Sequence, residues 1–208
     1  MSGDVITLDT ASVSNSGGGR KPESLARLKQ AARKLFVERG YDSTRPQDIA
    51  RQAGLGHGTF YLHYPDKRAC FLAFVEDARA ELDSHLRRHR PAGQTLQERI
   101  SATLNAIYEY ADSHPGVLRA AMADERVIDA EGVETRPLMM QWGTEWADLI
   151  RKAAGEGAAC KSFDADIIGQ AIVGALHQTC RDARRAGRSR AALVENLTRF
   201  LTKALRPD

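Results

Sequence analysis

Residues 44–67 read TRPQDIARQAGLGHGTFYLHYPDK, and their punctuation decides the fold. Thr44 is a candidate N-cap, because its hydroxyl can accept from an unpaired first-turn N–H. Gln47 lies three residues on, where a capping-box partner belongs. Pro46 falls in the first turn, where a missing N–H costs little. Ile49, Ala50 and Ala53 then recur at helical spacing and give a short helix an inner face. Gly54 ends it, as a residue that accepts the left-handed conformation. Leu55 plugs the turn, residues 56–64 form a second short helix, and Pro65 stops it. Asp66 is placed to cap a third helix, with Lys67 in its first turn. Two short helices across a tight glycine turn have the layout of a DNA-binding helix-turn-helix.

Lys67 adds to this reading. A cation at a helix N-terminus opposes the dipole. It makes sense where a phosphate docks and is shared between Lys67 and the free backbone N–H groups. Taken alone, a solvated surface lysine is the simpler reading; the surrounding motif favours the phosphate.

Upstream, a support helix is expected from near Pro22 to Glu38, with Leu25, Leu28, Ala32, Leu35 and Phe36 inward and Gly40 closing it. Charge concentrates on the same segment. Residues 20–70 hold eleven Lys or Arg against five acids, although the whole chain carries only +3. The remainder is close to balanced, so the basic excess sits where phosphate contact requires it.

Several of these residues resemble a known signature: Gly40-Tyr41, Thr44, Asp48-Ile49-Ala50, Ala53-Gly54-Leu55, Gly58-Thr59-Phe60-Tyr61 and Pro65-Asp66-Lys67. They look like the motif of TetR-type (tetracycline-repressor-like) transcriptional regulators, in detail over residues 24–72. Three places depart from the usual pattern. Arg45-Pro46 stands where a small hydroxyl or β-branched pair is common, Gly56 where a Ser often caps the recognition helix, and His63-Tyr64 where Tyr-Phe is common.

The resemblance and the spacing together assign roles. Thr44, Arg45, Gln47 and Lys67 are expected to hold the flanking phosphates, with Gln47 alternatively reaching a base. His57, Gly58 and Thr59 open the recognition helix, the part that faces base edges. Tyr61 and His63 lie further along, toward phosphates, and Phe60 is expected in the core. As isolated residues, each is a plain surface group.

The rest of the chain reads as helices only. One runs from Asp66 to near His89, and Pro91-Ala92-Gly93 follows. Another starts at Gln94 or Thr95 and continues to about His114, where Pro115-Gly116 ends it. A short helix near Val117 to Asp124 comes next, then a polar, irregular stretch from Arg126 to Glu134. Another helix runs from near Thr135 to Ala154, and two closing helices span 164–185 and 190–205. The expected fold is all-α, with about nine helices. It comprises a disordered tail at 1–20, a three-helix DNA-binding domain at 21–68, and a ligand-binding and dimerisation domain at 69–208.

In the resembled family the closing pair forms a four-helix bundle with a second subunit. Small residues Gly169, Gly174 and Ala175 permit close approach, and packing inside one chain is the competing reading. A homodimer matches the need for two symmetric recognition helices on a pseudo-palindrome. The family also couples DNA release to a small effector. Expected lining residues are Asn105, Tyr108, Met122, Met139, Trp142, Trp146 and His177, against the plain reading of core residues. Trp142 and Trp146 share a helix face, and Met and Trp suit an apolar or aromatic ligand.

Other chemistry is weaker. Cys70, Cys160 and Cys180 show neither a disulfide framework nor zinc spacing and are expected as buried thiols. His85 and His89 are four apart, but no carboxylate or Cys near them in sequence completes a metal site, so no metal is expected. His177, Cys180 and Asp182 lack a nucleophile elbow, so no catalysis is expected, and no cofactor. No apolar run approaches the roughly 18 residues of a membrane span. The N-terminal stretch lacks a signal peptide's basic start and apolar core, so a cytoplasmic location is expected. The function expected is a one-component regulator, a repressor in the first instance, on a palindromic double-stranded operator. The alternative is a constitutive DNA-binding protein without an effector.

Overall fold

The computed structural model describes residues 20–89, 95–122 and 137–207. The polar stretch 126–134 lies outside them, as does the expected tail at 1–20 apart from Arg20, which opens α1. Among the described residues the fold is all-α, with nine helices and no strand. They are α1 (Arg20–Arg39), α2 (Pro46–Gln52), α3 (His57–Tyr61), α4 (Lys67–Arg88), α5 (Leu96–Ser113), α6 (Val117–Ala121), α7 (Leu138–Gly155), α8 (Ala165–Ala186) and α9 (Arg190–Ala204). None is long and apolar enough to cross a membrane.

The breaks fall where backbone chemistry puts them. Gly40 closes α1 at φ 79°. Gly54, at φ 65°, ends α2 in a Schellman motif: its N–H donates to the Arg51 carbonyl, and the Leu55 N–H donates to that of Ala50. Arg27 of α1 donates to the Gly54 carbonyl at 3.2 Å and pins this turn. Asp66 caps α4 as expected, its carboxylate accepting from the Ala69 N–H at 2.7 Å. Thr95 and Glu98 form a full capping box on α5.

Thr44 is a correction. It is fully buried, and its hydroxyl donates to the Gly40 carbonyl at 2.7 Å. It closes the corner after α1 instead of capping α2, whose N-cap is Arg45 with no side-chain bond. The capping-box reading of Gln47 falls with it. The orphan carbonyl at the end of α1 and the apolar surroundings draw the hydroxyl inward.

Three apolar clusters hold the helices together. The first joins Leu28, Leu35 and Phe36 of α1 to Ile49, Phe60, Phe71 and Phe74, and continues to Val117, Ala121 and Leu138. The second packs α5, α7, α8 and α9 around Ile100, Leu104, Ile150, Val173 and Leu201. The third is small: Leu82, Tyr110, Ala111 and Leu118. Trp142 packs against all three, so one indole links the head of the molecule to its body. Cys70 and Cys160 are buried as expected, and burial pushes the Cys70 thiol up to about 12; Cys180 is only half-buried.

α7 and α8 cross at glycine. A Cβ on Gly169 would lie 2.1 Å from the Gly143 carbonyl oxygen, and one on Gly143 would strike the Gln170 side chain at 2.3 Å. Gly169 is therefore spent on packing within the chain, contrary to its expected place at a subunit interface. Gly174 has nothing within 4 Å of its would-be Cβ.

Candidate nucleic-acid interface and body cavity

α3 is anchored from beneath and open above. Phe60 is fully buried in the first cluster and fixes the helix on α1 and α4. With that side down, His57, Gly58, Tyr61 and Leu62 face outward, and Thr59 is half-buried. A Cβ on Gly58 would meet nothing, so a partner's surface can come right up to this backbone. The His57 and Tyr61 rings meet edge to face at 5.2 Å, which restrains both. Gly56 supplies the N-cap without a side-chain bond, and its carbonyl accepts from the Thr59 N–H at 2.9 Å. Arg45 and Gln47, at the start of α2, are both exposed.

Three other expected contacts are engaged inside the chain. Thr44 is buried and cannot reach a phosphate. His63 lies 2.7 Å from the Ser24 hydroxyl, which itself donates its one hydrogen to the Lys21 carbonyl. This contact ties the His63 ring to α1. Lys67 donates to the Tyr41 carbonyl at 3.1 Å and stands 4.0 Å over the Tyr41 ring. These contacts offset the unfavourable dipole without a phosphate, although two ammonium hydrogens stay available to one.

The body holds a cavity of about 680 Å³. Leu82 and Leu86 of α4, Ile107, Tyr108 and Ala111 of α5, and Trp142, Trp146 and Leu149 of α7 form most of its wall, with Val173, Leu176 and His177 of α8. Five expected residues line it: Tyr108, Met122, Trp142, Trp146 and His177. Two do not. Asn105 lies on the exposed stripe of α5 and donates to the Ser101 carbonyl. Met139 packs into the second cluster.

Two polar atoms in the wall are buried without a hydrogen-bond partner, the Tyr108 hydroxyl and the Trp142 Nε1. Thr179 is near the phenol but outside bonding geometry, and its own hydroxyl donates to the Ala175 carbonyl at 2.7 Å. Burial raises the Tyr108 pKa, so the phenol keeps its proton and can donate. The sequence reading missed the leucines and the polar rim of Thr103, Arg119, Glu145, Arg181 and Arg185. The stripe Val173, Leu176, His177, Cys180 has helical spacing and was a usable signal. The rim residues carried none.

One premise about metals is also corrected. Glu109 of α5, distant in sequence, stands beside His85 and His89 in space.

Comparison with known proteins agrees with this arrangement. Residues 28–74 match the family model described as bacterial regulatory proteins, tetR family. The HTH-type transcriptional regulator EthR of Mycobacterium tuberculosis is 28% identical over 144 residues, covering 68% of this chain and 66% of EthR. The uncharacterized HTH-type transcriptional regulator YuxN of Bacillus subtilis is 25% identical over 105 residues, covering 50% of this chain and 36% of YuxN. The chain thus spans between about a third and two thirds of the length of these curated relatives. The structure of the fatty acid degradation regulator FadR from Bacillus halodurans superposes with a TM-score of 0.65 at 17% identity, over 87% of this chain and 95% of that one, a likeness of fold. The matched segment 28–74 runs from α1 through the turn after α2 and the exposed α3 into α4, and over that segment the chain carries the helix-turn-helix domain described for bacterial regulatory proteins of the tetR family.

Proposed function

We propose that this chain is a one-component transcriptional regulator, not an enzyme. It binds a palindromic double-stranded DNA site as a homodimer in the cytoplasm, acts as a repressor, and is released by a small, largely apolar or aromatic molecule. The observation that carries the reading is α3: a short helix anchored by a buried Phe60 and presenting His57, Gly58 and Tyr61 outward from the most basic part of the chain. Arg45 and Gln47 flank it and are placed to hold phosphates; Thr44 is withdrawn from that role, and His63 is tied to Ser24.

The closing helices support the dimer. Ile167 of α8 is 67% exposed and Phe200 of α9 is 63% exposed, with Gly174 open between them in sequence. Large apolar side chains left out on two adjacent helices mark an association surface. The cavity supports an effector over a constitutive DNA-binding protein, because a body with no ligand has no reason to keep this volume unpacked. α4 joins the two functions: Lys67 at one end touches the head, and Leu82 and Leu86 near the other line the cavity. Its 22 residues make a lever about 33 Å long. A ligand that binds the wider spacing of the two heads better than the narrow one shifts the population off DNA.

The test is fluorescence anisotropy with DNA flanking the chain's own gene, titrated at several salt concentrations. Saturable binding of two chains per palindrome, weakening steeply with salt, is expected. His57→Ala should change the preference among operator variants. Binding with no salt slope and no preference for a palindrome would overturn the reading.

A further inference from the structure

The seam between α4 and α5 carries a cluster that DNA binding does not use. His85 and the C-cap His89 lie one turn apart at the end of α4, with ring centroids 4.3 Å apart. Glu109 of α5 faces both. Its Oε2 is 3.6 Å from the His89 Nε2 and 3.9 Å from the His85 Nε2. One ligand atom from each of the three residues falls within 4.8 Å of the others.

These separations are too long for hydrogen bonds. They are close to the ligand–ligand edges, about 3.4 Å, of a tetrahedral ion with bonds of about 2.0–2.1 Å. The protons are arranged to match. The His89 Nδ1 lies 2.8 Å from the His85 carbonyl, which can only accept, so Nδ1 carries the hydrogen and Nε2 carries the lone pair. A histidine whose far nitrogen is held by a carbonyl is the usual support of a metal ligand. The His85 Nε2 is buried with no hydrogen-bond partner. Arg88, the nearest cation on the same helix, donates to the Ser84 hydroxyl. His89 and Glu109 are 40% and 48% exposed, so an ion can enter from solvent.

We propose that His85, His89 and Glu109 bind a late first-row divalent cation such as Zn²⁺, with a fourth position for water. Two imidazoles and a carboxylate are a borderline donor set that suits Zn²⁺, Co²⁺ or Ni²⁺ over Mg²⁺ or Ca²⁺. The ion would cross-link the end of α4 to α5. That seam also walls the cavity, through Leu86 and Ile107. Metal occupancy would thus restrain the part of α4 that an effector must move.

The test uses the full chain without an affinity tag. Calorimetric titration with Zn²⁺ should give one ion per chain, and Co²⁺ should give a visible ligand-field band. Zn²⁺ should raise the Tm. His89→Ala and Glu109→Gln should each weaken Zn²⁺ by about 100-fold or more, beyond the 10–100-fold typical of supporting residues, and abolish the Tm rise. Both residues are largely exposed, so helical circular dichroism in a chelator should be unchanged. If His89→Ala nevertheless unfolds, Glu109→Gln decides alone. Cys180→Ser should bind as the parent chain does. Zn²⁺ affinity unchanged in Glu109→Gln, or lost in Cys180→Ser, overturns the site, as does an absence of binding at a hundredfold excess of Zn²⁺.

Discussion

Gly169→Ala should destabilise the protein despite improving helix propensity. Gly169 is in the second turn of α8, inside the helix, where exchange for Ala ordinarily adds about 1 kcal/mol. Here the new methyl would stand 2.1 Å from the Gly143 carbonyl oxygen, 2.9 Å from the Ala147 nitrogen and 3.1 Å from the Ala147 Cβ. The two closest are backbone atoms, which cannot turn aside as a flexible side chain can. Reaching ordinary contact at 3.4 Å requires α7 and α8 to part locally by about 1.3 Å. A gap of about 0.5–1 Å already forfeits a quarter to a half of the dispersion energy of each facing pair, and this one is larger. Overpacking of this kind costs about 1–3 kcal/mol or more. With the propensity gain set against the upper part of that range, the net loss is about 2 kcal/mol. For a chain of this length that lowers Tm by about 4–8 °C. Urea denaturation followed by circular dichroism measures it. Gly155→Ala, at the end of α7 with nothing within 4 Å, is the control and should be neutral or slightly stabilising. The same separation would move Trp142 and Trp146 away from Val173 and His177, so tryptophan fluorescence should change in Gly169→Ala alone. If Gly169→Ala is as stable as the parent, the two helices do not cross at this point and the cavity wall described here is wrong.

Three further outcomes are expected. Lys67→Ala removes a hydrogen bond and a ring contact to Tyr41, costing about 1 kcal/mol in chemical denaturation; if Lys67 also holds a phosphate, the salt slope of DNA binding falls by about 1, and an unchanged slope makes it purely structural. Burial would raise the Glu81 pKa, but hydrogen bonds from Arg33 at 2.6 Å and Tyr110 at 2.8 Å outweigh this and hold it below 4.5. Its contribution is therefore complete above the unfolded value and lost as pH falls through the folded one, so Glu81→Gln should cost about 1 kcal/mol at pH 7 and flatten the acid limb of the stability profile; an unchanged acid limb refutes the assignment. Tyr108→Phe removes a buried hydroxyl that has no protein partner, so it should leave stability within about 0.5 kcal/mol while weakening any effector that carries a hydrogen-bond acceptor; a large loss of stability would show that the hydroxyl is bonded within the fold.

The head was legible because its signals are local. Gly40, Gly54 and Asp66 act within a few residues of themselves, through φ or a cap, and each was found where the pattern put it. The second short helix, expected over 56–64 and stopped by Pro65, instead spans only His57–Tyr61, so its end is set before the proline. Phe60, expected in the core from the resemblance and the spacing together, is the buried anchor of α3. Thr44 shows the limit. A hydroxyl at a helix boundary can serve the helix ahead or the one behind, and the choice depends on which side is buried. For His63 and Lys67 the deciding partners, Ser24 and Tyr41, are 39 and 26 residues away. In the cavity, apolar aromatics on one face were found, whereas Asn105 failed because its helix turns that stripe to solvent.

By itself the sequence determined the helices, several of their ends, the basic head and the helix-turn-helix layout, since these depend on interactions over one or two turns. Tertiary structure decided which small residues became crossing points, which wall residues enclose the cavity, and that Glu109 meets His85 and His89. Those outcomes depend on contacts between helices distant in the chain, and no periodicity within one helix records what will pack against it.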